Sequence, residues 1–105
     1  MITAIVQFEL SSAVTREQAR ELFSASAFKY RHVPGLVRKY YLYGEDGRSA
    51  GGVYLWQSRI QAEQLYNAEW RQSIEERFGS SPSITYFESP VIVDNELGLI
   101  QGGDE

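Results

Sequence analysis

The sequence predicts an α+β domain in which helices cover one face of a four-stranded antiparallel sheet. Three observations carry that prediction. Segments with alternating apolar residues bracket segments with helical spacing, in the order βαββαβ. Thr15–Gln18 and Ser58–Gln61 each place a hydroxyl residue three positions before a glutamine, the capping-box form that opens a helix. Two aromatic runs, KYYLY (39–43) and VYLW (53–56), flank a turn-like segment, as in a β-hairpin. That hairpin region carries four of the chain's nine glycines. At 105 residues the chain is read as one domain, 1–105, with a single modest core.

The elements follow in order. Ile2, Ala4, Val6, Phe8 and Leu10 share one side of a first strand, with Thr3, Ile5, Gln7 and Glu9 on the other. A helix opens at Thr15 and carries Ala19, Leu22, Phe23 and Tyr30. It is expected to run to about His32, because Pro34 pushes the residue before it out of the α region. Pro34-Gly35 turns the chain into a second strand, Leu36–Tyr43, and a third runs from about Gly52 to Gln57. Ser58 opens a second helix carrying Ala62, Leu65 and Tyr66; Trp70, Ile74 and Phe78 continue a further helical segment to a glycine C-cap at Gly79. Residues 84–94 form a last strand that Pro90 divides, its second piece free to leave the sheet. Residues 95–105 read as a flexible or partner-clasping tail, with Leu97, Leu99 and Ile100 able to clip onto a neighbour. The order is that of a ferredoxin-like fold.

Composition narrows the functional classes. The formal net charge is -4 and no cluster of Lys and Arg stands out, which disfavours nucleic acid as a partner. No cysteine is present, so disulfides and cysteine-ligated metals are excluded. The N-terminus lacks a basic region and Gln7 and Glu9 interrupt its apolar run, so it does not read as a signal peptide. No stretch is apolar for long enough to span a membrane. A soluble, cytoplasmic protein is the expectation. No phosphate loop, dinucleotide fingerprint or metal-ligand spacing occurs, and neither cofactor nor metal is expected.

The hairpin is apolar on both faces: Tyr40 and Leu42 oppose Tyr41 and Tyr43, and Val53 and Leu55 oppose Tyr54 and Trp56. Helices cover only one face, so the other calls for a second copy of the sheet packed across a two-fold axis. The space between two such sheets is either a solid aromatic core or a ligand cavity.

The strings PGLVRKYYLY (34–43) and GGVYLW (51–56), followed by a helix containing NAEW (67–70), resemble the YdhR family of the dimeric α+β barrel superfamily, whose members are called monooxygenases. The likeness spans nearly the whole chain. It implies a homodimer with a pocket between sheet and helices in each protomer, and kinship with small oxygenases that oxidise aromatic substrates without metal or flavin.

Nine side chains and one lone imidazole follow as candidates. His32, the only histidine, is either a surface or helix-end residue or a base for a phenolic proton. Asn67 and Trp70 share a helix face: either a junction cap and a core anchor, or donors to an oxyanion or to reduced oxygen. Tyr41, Tyr43, Tyr54 and Trp56 are either interface core or substrate contacts, with Gln7 and Ile5 expected on the same wall. Arg38 is a solvated charge or a clamp for an anionic substrate. Two functions stay open: a cofactor-independent monooxygenase with catalytic His32, Asn67 and Trp70, and a dimeric module that binds a small hydrophobic ligand without chemistry.

Overall fold

The computed structural model of the chain describes residues 1–102. Strand β1 (Ile2–Glu9) leads to helix α1 (Arg16–Ala27), then to β2 (Leu36–Tyr43) and β3 (Ser49–Trp56). Helices α2 (Arg59–Leu65) and α3 (Ala68–Phe78) precede β4 (Ser83–Glu88), and a short pair, β5 (Ile92–Asp94) and β6 (Leu99–Gln101), comes last. The four long strands form one antiparallel sheet in the order β2-β3-β1-β4, as the ferredoxin-like reading requires.

Local chemistry sets the helix boundaries. Thr15 accepts from the Gln18 backbone N–H while the Gln18 side chain accepts from the Thr15 N–H, a complete capping box. α1 ends at Ala27, earlier than the expected His32. A single 3-10 turn, Phe28–Tyr30, follows, and His32 takes a left-handed backbone (φ 63°) before Pro34. The tightened turn brings the Tyr30 ring over the sheet. The second helical region breaks at Tyr66, where Asn67 caps α3, and Gly79 in the left-handed region (φ 95°) ends it.

The core lies between the helices and one sheet face. Ala4, Val6, Tyr54 and Trp56 pack with Ala62 and Tyr66; Leu10 and Ala50 pack with Ala19, Phe23, Ile74 and Phe78. Gly51 and Gly52 have separate steric reasons. A Cβ on Gly51 would run into the Val6 carbonyl oxygen of the adjacent strand. One on Gly52 would crowd Tyr54 Cε1 (3.0 Å) and Lys39 Cε (3.2 Å), so glycine there leaves room for the lysine stem.

The other sheet face carries Thr3, Ile5, Gln7, Arg38, Tyr40, Val53, Leu55 and Phe87 and has no helix against it. As Pro90 suggested, the chain leaves the sheet after β4. β5 and β6 then pair with each other through a turn in which Asp94 Oδ1 accepts from the N–H groups of Glu96 and Leu97. Residues 95–101, read from sequence as a flexible or clasping tail, are thus the turn and return strand of a hairpin; residues 103–105 of that reading lie outside the described residues. No helix is long and apolar enough to cross a membrane among the described residues.

Candidate functional site

The β2–β3 register decides what the helices cover. Lys39 lies opposite Tyr54 and Tyr41 opposite Gly52, so alternation turns Lys39, Tyr41, Tyr54 and Trp56 toward the helices. The result is an amine enclosed by tyrosines. Lys39 Nζ sits 3.4 Å from the centre of the Tyr30 ring, 3.8 Å from that of Tyr41 and 4.7 Å from that of Tyr54.

Each ring is itself held. The Trp70 indole N–H donates to Tyr30 Oη at 3.0 Å, and Ser26 Oγ and Tyr41 Oη are hydrogen-bonded at 2.9 Å. Phe23 stacks on Tyr41 with centroids 5.0 Å apart, and Tyr54 meets Tyr66 edge-on at 5.3 Å. The cage is therefore fixed by α1, the 3-10 turn, both hairpin strands and α3.

Two effects act on the ammonium. The tyrosine faces favour its charge, whereas burial and then Arg77 oppose it. Burial dominates, and the Lys39 pKa is lowered to about 7. Burial also raises the pKa of Tyr41, against the hydrogen bond it shares with Ser26, and raises that of Tyr54. At neutral pH Tyr41 and Tyr54 are thus neutral phenols beside an amine that exchanges its proton readily.

Beside the cage lies a cavity of about 20 Å³, walled by Phe8, Phe23, Tyr54, Trp70, Ile74 and Phe78 among others. That is room for one water-sized molecule. On the outer side, at the edge of β2, an open groove of about 310 Å³ shares Tyr30, Lys39 and Tyr41 with the cavity. Arg31, His32 and Arg38 also line it, and no carboxylate does.

The structure divides the sequence-derived candidates. Tyr41, Tyr54 and Trp70 come together around the cavity, and exposed His32 stands on the rim of the groove. Trp56 does not reach the cavity; it is fully buried, its indole donating to Tyr66 Oη at 3.1 Å. Asn67 is exposed and caps α3, its Oδ1 accepting from the Trp70 N–H at 2.9 Å and its Nδ2 donating to the Gln64 carbonyl. It holds the turn that carries Trp70 rather than facing the cavity.

The shared wall expected for Gln7 and Ile5 with the hairpin aromatics is not formed. Both point to the opposite face, because residues of β1 alternate and Ala4 and Val6 take the helix side. Likewise Tyr41, Tyr43, Tyr54 and Trp56 face the chain's own helices instead of the free sheet face on which an interface would form. Arg38 projects from the free face, 3.7 Å from Asp94 of β5, and reaches the groove around the sheet edge.

No protein-family model and no curated protein sequence matches the chain. Solved structures do. A monooxygenase from Streptomyces coelicolor, the product of ActVA-Orf6 in complex with nanaomycin D, superposes with a TM-score of 0.66 at 19% identity, covering 88% of this chain and 89% of that one. SnoaB, a cofactor-independent oxygenase from Streptomyces nogalater, gives 0.62 at 17% identity over 84% of this chain and 91% of its own. Rv0793 from Mycobacterium tuberculosis gives 0.60 at 17%, over 84% and 93%. The chain has their fold. Such identities carry the likeness no further than that.

Sequence reasoning passed over Lys39 and treated Tyr30 as an ordinary helix position. A signal was present: Lys39 alternates in phase with Tyr41 and Tyr43, and a lysine in a strand's aromatic phase is a charge on a face that is otherwise dry. Tyr30 left no comparable signal, since its approach depends on the 3-10 turn.

Proposed function

We propose that the protein is a cofactor-independent monooxygenase of small aromatic substrates, acting in the space between sheet and helices of each protomer of a homodimer. The observation that carries this reading is the aromatic-walled cavity in which Trp70 and Tyr30 are hydrogen-bonded and which meets an open groove at Lys39. The fold shared with the Streptomyces oxygenases supports it.

The chemistry asks little of the protein. A phenol that has lost its proton gives an electron to O₂, the resulting radicals combine into a ring peroxide, and loss of water leaves a quinone. Overall, phenol plus O₂ gives quinone plus water: one oxygen atom enters the ring and the other leaves as water, the substrate supplying all the electrons. The substrate ring lies in the groove, and the small cavity accommodates O₂. The Tyr30 hydroxyl, whose oxygen accepts from the Trp70 indole N–H, donates to the oxygen that becomes negative at the mouth of the small enclosed cavity. Asn67 acts as a positioning residue by capping the first turn beneath Trp70.

The free sheet face supports the dimer. Tyr40 and Phe87 are 56% and 51% exposed there, and Val93, Leu97, Leu99 and Ile100 of the terminal hairpin are exposed alongside. A second sheet packed on this face removes that apolar surface from water.

Oxygen uptake across a panel of electron-rich phenols, with catalase and a metal chelator present, tests the proposal. Uptake by wild type that falls at least about tenfold in Trp70→Phe supports it. Wild-type uptake no greater than that of the variant contradicts it.

A further inference from the structure

We infer that Lys39 is the site's proton acceptor, and that the ligand it meets is an acidic phenol bound in the groove with its hydroxyl directed at Nζ. The inference deepens the oxygenase reading and rests on the cage and groove being the ligand site.

Three observations on geometry and charge support it. First, among the described residues Lys39 is the only one with a side-chain nitrogen that lines both the enclosed cavity and the outer groove; Tyr30 and Tyr41, which line both as well, present ring faces to its Nζ. A ligand in the groove therefore reaches Lys39 before anything deeper. Second, the groove is lined by Arg31, His32, Arg38 and Lys39 without a carboxylate, in a chain whose net charge is -4. Such a surface favours a negative group on the ligand. Third, the tyrosine rings offer flat apolar walls to an aromatic ring, while Gly52 vacates the space that lets the lysine stem lie beneath them.

The groups facing the amine fix the direction of proton transfer. Tyr30, Tyr41 and Tyr54 surround it with aromatic rings, Arg77 adds a positive charge from α3, and Arg31 and His32 stand at the rim. No carboxylate is among them to hold the ammonium, so the amine is neutral in a large share of molecules near pH 7. The step is a simple transfer: the phenol O–H bond breaks, an N–H bond forms, and phenolate and ammonium remain as an ion pair. The phenolate then faces the cationic rim instead of carboxylates, and no redox partner is needed for this step. His32, the base expected from sequence, is placed at the entrance.

The test uses the fluorescent phenol umbelliferone, whose phenol and phenolate forms have separate excitation bands, under nitrogen so that oxidation plays no part. Wild type is expected to bind it and to show the phenolate band at a lower pH than the free probe. Lys39→Met is expected to weaken binding about tenfold and to hold the probe as neutral phenol. Lys39→Arg, which stays charged, is expected to keep phenolate binding but to lose oxygen uptake, since it cannot accept a proton. No binding by wild type, an unshifted phenolate midpoint, or an unchanged midpoint in Lys39→Met overturns the assignment. The wild-type midpoint stands as a test even where a variant fails to fold. The two readings fail separately: phenolate capture without oxygen uptake breaks the oxygenase proposal alone. Oxygen uptake unaffected in Lys39→Met breaks the role of Lys39 alone.

Discussion

On the helix-covered side of the sheet Tyr54 is 2% exposed and Trp56 wholly buried; on the free side Tyr40 is 56% exposed and Phe87 51%. Residues of the same kind, on strands of one sheet, thus lie in opposite surroundings. What separates them is hydrogen bonding as much as coverage. Trp56 donates to Tyr66, Trp70 to Tyr30, and Tyr41 is bonded to Ser26, so the covered aromatics have partners for their polar tips. The free face carries Tyr40 and Phe87 beside half-buried Ile5, Val53 and Leu55, bordered by the segment 89–96 and, among the described residues, by no helix. One side of the sheet is a completed interior with an amine enclosed in it, and the other leaves aromatic rings half in water.

That contrast can be broken first at the covered face. Trp56→Ala is expected to cost ~3–5 kcal/mol of stability, because it opens a cavity and leaves Tyr66 Oη without its donor. Urea unfolding followed by circular dichroism measures the loss; a change below ~1 kcal/mol would show that the residue is not core.

The free face should respond in assembly instead. Phe87→Ser is expected to shift light scattering from dimer toward monomer at concentrations where wild type stays dimeric, weakening association about tenfold or more. The unfolding free energy of the separated protomer should change little, as half of the ring already meets water. An unaltered dimer, or a wild type that is itself monomeric, contradicts the role given to this face.

A smaller effect sharpens the link between α3 and the cage. Asn67→Ala removes the cap and is expected to cost about 1 kcal/mol, whereas Asn67→Asp, which keeps the acceptor for the Trp70 N–H, should restore most of it. Thermal unfolding of the pair of variants checks this. If oxygen uptake fell in Asn67→Asp as far as in Trp70→Phe, Asn67 would be acting on the ligand directly.

Much of this was legible beforehand. The alternation of Ile2, Ala4, Val6 and Phe8, the Thr15–Gln18 box, Gly79 and the break at Pro90 are local signals, and each determined an element or its end. The site itself was less so. Period-two alternation places Tyr41 with Tyr43 and Tyr40 with Leu42, yet it does not say which pair the helices cover when both are apolar. Gln7 was therefore grouped with the wrong aromatics. The lysine cage depends on the β2–β3 register, on Gly52 being bare and on a 3-10 turn that carries Tyr30 inward, three features that come together only in the folded chain.

The central claim is that this face encloses a desolvated amine, and the chain permits a direct measurement of it. Only two lysines are present, Lys29 and Lys39, so ¹³C labelling at the lysine ε-carbon gives two signals, assigned with Lys29→Arg. Followed by NMR against pH, the Lys39 signal is expected to titrate at about 7, its amine neutral above that value and charged below it. Titration of Lys39 at the ordinary lysine value of 10.5 would contradict the account.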